Sequence, residues 1–213
     1  MKSDYLVLMA DIIKSRDFDQ KNAMEGFHEI VHSVNKQWRG SLLSPLTITL
    51  GDEFQGIVRG MGDIADVVFA LEEQSVIDGI EFKLRYALYQ GAVDTPINKH
   101  LAYGMMGDGL TLARQRLSVM KRSSNRFHFS FRDDAKSKVI NDSFLVFQSI
   151  VDKWNVDKDY YLVASFLKEQ DYKDVAVTLE KDRSLMWRRM KSLQMEEYLA
   201  MKKVISYLMT GRV

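Results

Sequence analysis

The apolar run Tyr5-Leu6-Val7-Leu8-Met9-Ala10 stops at Asp11, and from Gln20 to Trp38 the period lengthens. Ala23, Met24, Phe27, Ile30, Val31, Val34 and Trp38 then recur at the spacing of one helical face. The first stretch predicts a buried strand over 4 to 11, and the second a helix with a single core face. Alternation returns on both sides of Gly51-Asp52-Glu53, which predicts a tight hairpin through 46 to 59 with two carboxylates at its bend, Pro45 ending the loop before it. A helix follows from about Gly62 to Val76 through Ile64, Val67, Val68 and Leu71, then a long strand from Glu81 to Val93. Strand, helix, hairpin, helix, strand predicts a ferredoxin-like α+β sandwich, an antiparallel sheet with two helices on one side.

Beyond a surface loop at Thr95 to Asn98, Gly104, Gly107 and Gly109 open a third helix over Asp108 to Met120. Asn125 to Phe131 alternates phenylalanine with Arg126, His128 and Ser130 and reads as another strand. The charged stretch Asp133 to Asp142 reads as a solvated link into a helix near Ser143 to Trp154. A boundary over Asn155 to Asp159 divides the chain into an α+β domain, 1–155, and a small all-α domain, 156–213. In the latter, Tyr160 to Glu169, Lys173 to Leu179, Ser184 to Gln194 and Glu196 to Met209 all read as helix. The middle pair fits a helix-turn-helix around Glu180-Lys181-Asp182, although the usual turn glycine is Glu180 here.

Composition narrows the classes. The 213 residues, 46% hydrophobic and 28% charged, suffice for one full domain and a small one. The absence of cysteine excludes disulfides, thiolate nucleophiles and cysteine-ligated zinc. No apolar run approaches the ~20 residues that span a bilayer, and the start leads into a strand pattern instead of a signal-peptide core. The expectation is therefore a cytoplasmic protein without a membrane partner. A net charge of +1 gives no global field toward nucleic acid, so any such contact rests on local patches.

The bend of the hairpin and the end of the first strand supply the candidate chemistry. If those strands are neighbours, Asp11 and Asp52 form a pair of hard oxygen ligands suited to magnesium; the alternative is a structural turn and an N-capping aspartate. Lys14, Ser15 and Arg16 follow, placed to meet nucleotide phosphates or simply solvated before a helix. From Arg114 to Arg132 there are six basic residues and no acid, a phosphate-accepting block or a solvated helix face. Lys181 to Lys191 carries five basic residues and one acidic, and Ser184, Arg188 and Lys191 share a helical face able to reach a DNA groove. The same helices serve equally as a docking module. None of the four histidines has acidic or cysteine partners at ligand spacing.

Asp11-Ile12-Ile13-Lys14-Ser15, Gly51-Asp52-Glu53-Phe54, Leu84 to Gly91 and Tyr103 to Asp108 resemble, in this order, the core of class III nucleotidyl cyclases and GGDEF-type diguanylate cyclases. Over nearly its full length the chain resembles the SatD family of bacteria. The cyclase resemblance implies a nucleotide with magnesium or manganese held by Asp11, the Ile12 carbonyl and Asp52, in a homodimer with sites at its interface. It also implies a catalytic set that this chain lacks. The purine-selecting lysine falls at Ile48, the transition-state asparagine near Thr111, the following arginine at Gln115 between Arg114 and Arg116, and the first GGDEF glycine at Leu50. A missing donor of this kind costs ~2.7 to 4 kcal/mol of barrier. The expectation is a nucleotide- and metal-binding regulator with a degenerate cyclase-like domain and a DNA-contacting C-terminal region. The alternative is an active nucleotidyltransferase or cyclase that uses Arg114 or Arg116.

Overall fold

The strand β1 (Asp4–Ile12) is buried on both faces from Leu6 onward, which is why its sequence is a continuous apolar run and not an alternation. In the computed structural model, which describes residues 4–211, it is the central strand of a five-stranded sheet. The order is β2 (Leu42–Ile48), β3 (Glu53–Val58), β1, β4 (Leu84–Ala92), β5 (Phe127–Ser130). The first four pair antiparallel in the order a βαββαβ chain predicts, and β5 adds parallel to β4.

Alternate residues of β1 enter two separate cores. Leu6, Leu8, Ala10 and Ile12 face the larger one, with α1 (Gln20–Gln37), α2 (Met61–Ile77) and α4 (Asp134–Val151). Val7 and Met9 face a smaller one closed by α3 (Asp108–Met120) through Leu110, Ala113 and Leu117. The sheet is thus covered on both sides, where the sequence predicted helices on one. The approach of α3 to β4 depends on glycine: a Cβ on Gly91 would stand 2.9 Å from the Gly109 Cα. Both edge strands are tied to a helix by the same device. Asn35 of α1 exchanges two hydrogen bonds with the Leu46 backbone on β2, and Asn141 of α4 does so with Phe129 on β5.

Some boundaries differ from the sequence reading. Pro45 lies inside β2, an edge strand that tolerates its missing donor. The stretch 134–142 is the first half of α4 and not a link: Asp133 caps it at the Lys136 amide, and its charged residues lie on the outer face while Ile140 is buried. Asn155, read as the start of a boundary, caps α5 (Val156–Glu169) at the Lys158 amide.

After α5 come α6 (Tyr172–Thr178), α7 (Arg183–Ser192) and α8 (Met195–Thr210). One apolar cluster runs from Leu6 to Met209 across residue 155. Tyr198 of α8 packs on Phe147 and Trp154, and the Trp154 indole donates to the Leu193 carbonyl at 2.9 Å. No helix among the described residues is long and apolar enough to cross a membrane.

Candidate functional site

Strand register builds the site. Asp11 at the end of β1 stands opposite Glu53 on β3 and opposite Arg85 on β4, and all three are buried. The period of two puts them on the α3 face, in line with Val7 and Met9. Here α3 brings cations: Arg114 Nη2 lies 2.7 Å from Glu53 Oε1, and Lys121 Nζ lies 3.2 Å from Asp11 Oδ2. Arg85 Nη1 donates to both Asp11 oxygens at 3.1 Å. Asp52, in the bend where Gly51 has φ 82, lends its carbonyl to the Ile12 amide at 2.9 Å, and its carboxylate accepts from the Ser15 hydroxyl at 2.7 Å.

The set is charge-balanced yet incompletely hydrogen-bonded. Burial pushes the Asp11 carboxyl up, Arg85 and Lys121 pull it down, and nearby Asp52 adds repulsion, for a net upward shift. Burial likewise raises Glu53 against the pull of Arg114. Arg114 neutralises Glu53 at 2.7 Å in a geometry that forms no hydrogen bond to Oε1, and Arg85 Nε is buried without a hydrogen-bond partner.

An open cleft of about 670 Å³ adjoins this set, between α3 and the loop at 103–105. Met9, Gln55, Tyr103, Thr111, Arg114 and Gln115 line it, a volume within the range of small-ligand sites. The positions where the cyclase resemblance expected asparagine and arginine, near Thr111 and Gln115, therefore do face a cavity. The two arginine candidates part company. Arg114 lines this cleft, whereas Arg116 lines a different hollow of about 420 Å³ with His128 on the far side of α3. There, burial and then the Arg116 charge bring His128 down to about 4.

Of the phosphate candidates, Ser15 is engaged by Asp52, while Lys14 and Arg16 are exposed and make no ion pair among the described residues. Lys14 holds a left-handed φ of 54 at the start of a 3-10 turn, Ser15–Asp17. The N-terminus of α1 is occupied by its own Asp19 carboxylate, which accepts from the Asn22 amide.

Magnesium or manganese at Asp11, the Ile12 carbonyl and Asp52 does not fit the residues as arranged. Both Asp11 oxygens carry protein cations, and no group of three or more Asp, Glu or His side chains suited to a metal exists among the described residues. The sequence reading missed Glu53 as a member of the set, along with Arg85 and Lys121. The available signal was a charged residue inside an otherwise apolar strand, Leu84-Arg85-Tyr86-Ala87; its partner depends on register, which one sequence does not display.

In the C-terminal helices, Glu180 adopts φ 52 in the turn between α6 and α7, so the left-handed conformation is present without glycine. Ser184, Arg188 and Lys191 are exposed on α7 beside the half-exposed Trp187. Ser184 donates to Asp182 at 2.5 Å, Arg188 Nε reaches the Ser184 carbonyl at 3.3 Å, and Lys191 pairs with Glu196.

The chain belongs to the SatD family, whose family model matches residues 5–209. No curated protein matches it by sequence. Among solved structures it is similar to a bacterial light-regulated adenylyl cyclase, with TM-score 0.43 and 9% identity over 61% of this chain and 76% of that one. It is also similar to the guanylate cyclase domain of RhGC from Catenaria anguillulae in complex with GTP, with TM-score 0.40 and 19% identity over 60% and 77%. For adenylate cyclases from Trypanosoma brucei in their monomeric state the values are 0.39 and 13% over 57% and 78%.

Proposed function

We propose that this SatD-family chain is a regulatory nucleotide-binding protein whose ligand lies in the cleft beside α3, its phosphates toward the end of β1. The observation that carries this is Arg114, which lines the 670 Å³ cleft and also reaches the buried carboxylate Glu53. A guanidinium in that place offers phosphate a charge-assisted, bidentate partner. Lys14 and Arg16, exposed on the turn after β1, are further phosphate contacts in this reading.

Calorimetric titration with ATP and GTP tests it. Saturable binding is expected, weakened at least tenfold in Arg114→Ala, which corresponds to the loss of one charged hydrogen bond of roughly 1.5–3 kcal/mol. No binding of either nucleotide would end the reading. Turnover by an active nucleotidyltransferase or cyclase is the second possibility, favoured only by Arg114 facing the cleft; nucleotide products above the Arg114→Ala background would establish it.

The exposed face of α7 supports DNA contact through Ser184, Arg188 and Lys191. Arg188→Ala with Lys191→Ala should lower the salt dependence of DNA binding by about one unit of slope for each phosphate that is no longer neutralised, and no binding at low salt would retire the idea. A homodimer pairs by the α3 face in this reading, where Tyr103 and Met106 of the loop before α3 are exposed. Sedimentation of the wild type against Tyr103→Glu measures it.

A further inference from the structure

At the end of β1 three carboxylates meet three cations: Asp11, Asp52 and Glu53 with Arg85, Arg114 and Lys121. We propose that these protein cations supply the counter-charge a divalent ion would otherwise bring, so that a phosphorylated ligand binds beside α3 without metal, held by Arg114 and Lys121. The proposal rests on the nucleotide reading for its ligand, and on this charge balance alone for its exclusion of metal.

The cations differ in freedom. Arg85 is fixed, buried directly across the ladder from Asp11 with one nitrogen on both carboxylate oxygens. A divalent ion arriving at Asp11 Oδ2 would meet Arg85 Nη1 at 3.1 Å and Lys121 Nζ at 3.2 Å from that same atom. Like charges held that close repel strongly, and Arg85 has no exposed route by which to withdraw. Arg114 and Lys121, by contrast, have side chains 43% and 56% exposed. They lie about two turns apart, Arg114 within α3 and Lys121 at its C-cap, and so share the face turned to the ends of β1 and β3. Each can leave its carboxylate for a phosphate without exposing apolar surface.

When they do so, Asp11 keeps Arg85. Glu53 faces Asp11 and Asp52 from the strand end and hairpin, and Arg114 and Lys121 from α3, with Gln55 on its own strand. Phosphate binding then leaves Arg85 in place at Asp11, against any metal ion there.

Two titrations of the full chain test this. In the first, Mn²⁺ is added without nucleotide and the free ion is followed by electron paramagnetic resonance. The wild type is expected to show no saturable site; a site that disappears in Asp52→Asn overturns the proposal whatever nucleotides do. In the second, ATP and GTP are titrated in EDTA and in magnesium. Affinities of the same order are expected, with Lys121→Ala weakened about tenfold in EDTA. Binding that requires magnesium overturns the proposal. No nucleotide binding in either buffer, with Mn²⁺ also unbound, ends the nucleotide reading and the phosphate half of the proposal while the self-neutralised carboxylate set stands. Because Lys121 caps an exposed helix end, its variant should keep the wild-type melting temperature, which is checked alongside.

Discussion

Two charged clusters flank β4, and they are finished to different degrees. In the larger core, Arg126 gives two nitrogens to the Glu72 carboxylate at 2.9 and 2.7 Å, a third bond to the Leu84 carbonyl at 2.7 Å and Nε to Asp152 at 2.9 Å, and lies over the Phe127 ring. Tyr86 donates to Glu72 at 2.8 Å. Burial alone would push the Glu72 carboxyl up, but Arg126, Lys83 and Tyr86 outweigh it and hold it below its usual value. At the α3 face the same kinds of residue leave Glu53 Oε1 and Arg85 Nε without hydrogen bonds, raise both acids, and border an open cleft. A closed network specifies packing, because its buried polar groups find their partners inside the protein. An open one keeps bonding capacity for something else.

The sharpest way to break this contrast is Arg126→Met, which strands Glu72 in the core. The expected loss is about 3–5 kcal/mol in urea unfolding. Adding Glu72→Leu should restore most of it, since a buried ion pair replaced by apolar residues is often neutral; a double variant as unstable as the single would show that Arg126 acts by some other contact.

His128 gives the next effect, because it is partly buried with the Arg116 charge beside it. Its folded value of about 4 lies below the unfolded 6.5, so the folded state resists its protonation. Stability is therefore full above about pH 6.5 and falls as pH drops toward 4, on the order of 2 kcal/mol. In His128→Gln that part of the acid slope should vanish, and an unchanged slope would assign the loss to carboxylates.

Glu53→Gln probes the open cluster and should move stability by no more than about 1 kcal/mol, since Arg114 can turn to solvent. The sign depends on pH. With the Glu53 value raised on folding, the wild type loses stability as pH rises from the unfolded toward the folded value, and the glutamine variant does not. A loss as large as that of Arg126→Met would erase the distinction between the clusters. The smallest change is expected for Lys121→Ala, within about 0.5 kcal/mol in the absence of ligand, as for other exposed positions.

What the sequence determined by itself was local. A strand buried on both faces shows as the unbroken run before Asp11, helix periods show in α1 and α2, and the order of those elements yields β2-β3-β1-β4 from connection rules alone. The glycine and carboxylates of the hairpin bend were legible for the same reason, since turn chemistry is written in adjacent residues. What tertiary structure decided was non-local. Which carboxylate faces which cation follows from register across three strands and from the docking of α3 on the second face, and a shift of one residue would send Glu53 and Arg85 to the opposite core. The same strand period that makes β4 recognisable as a strand leaves its partner unspecified. For that reason the sequence offers Asp11 as a metal ligand without showing Arg85 and Lys121, which the fold brings to its carboxylate.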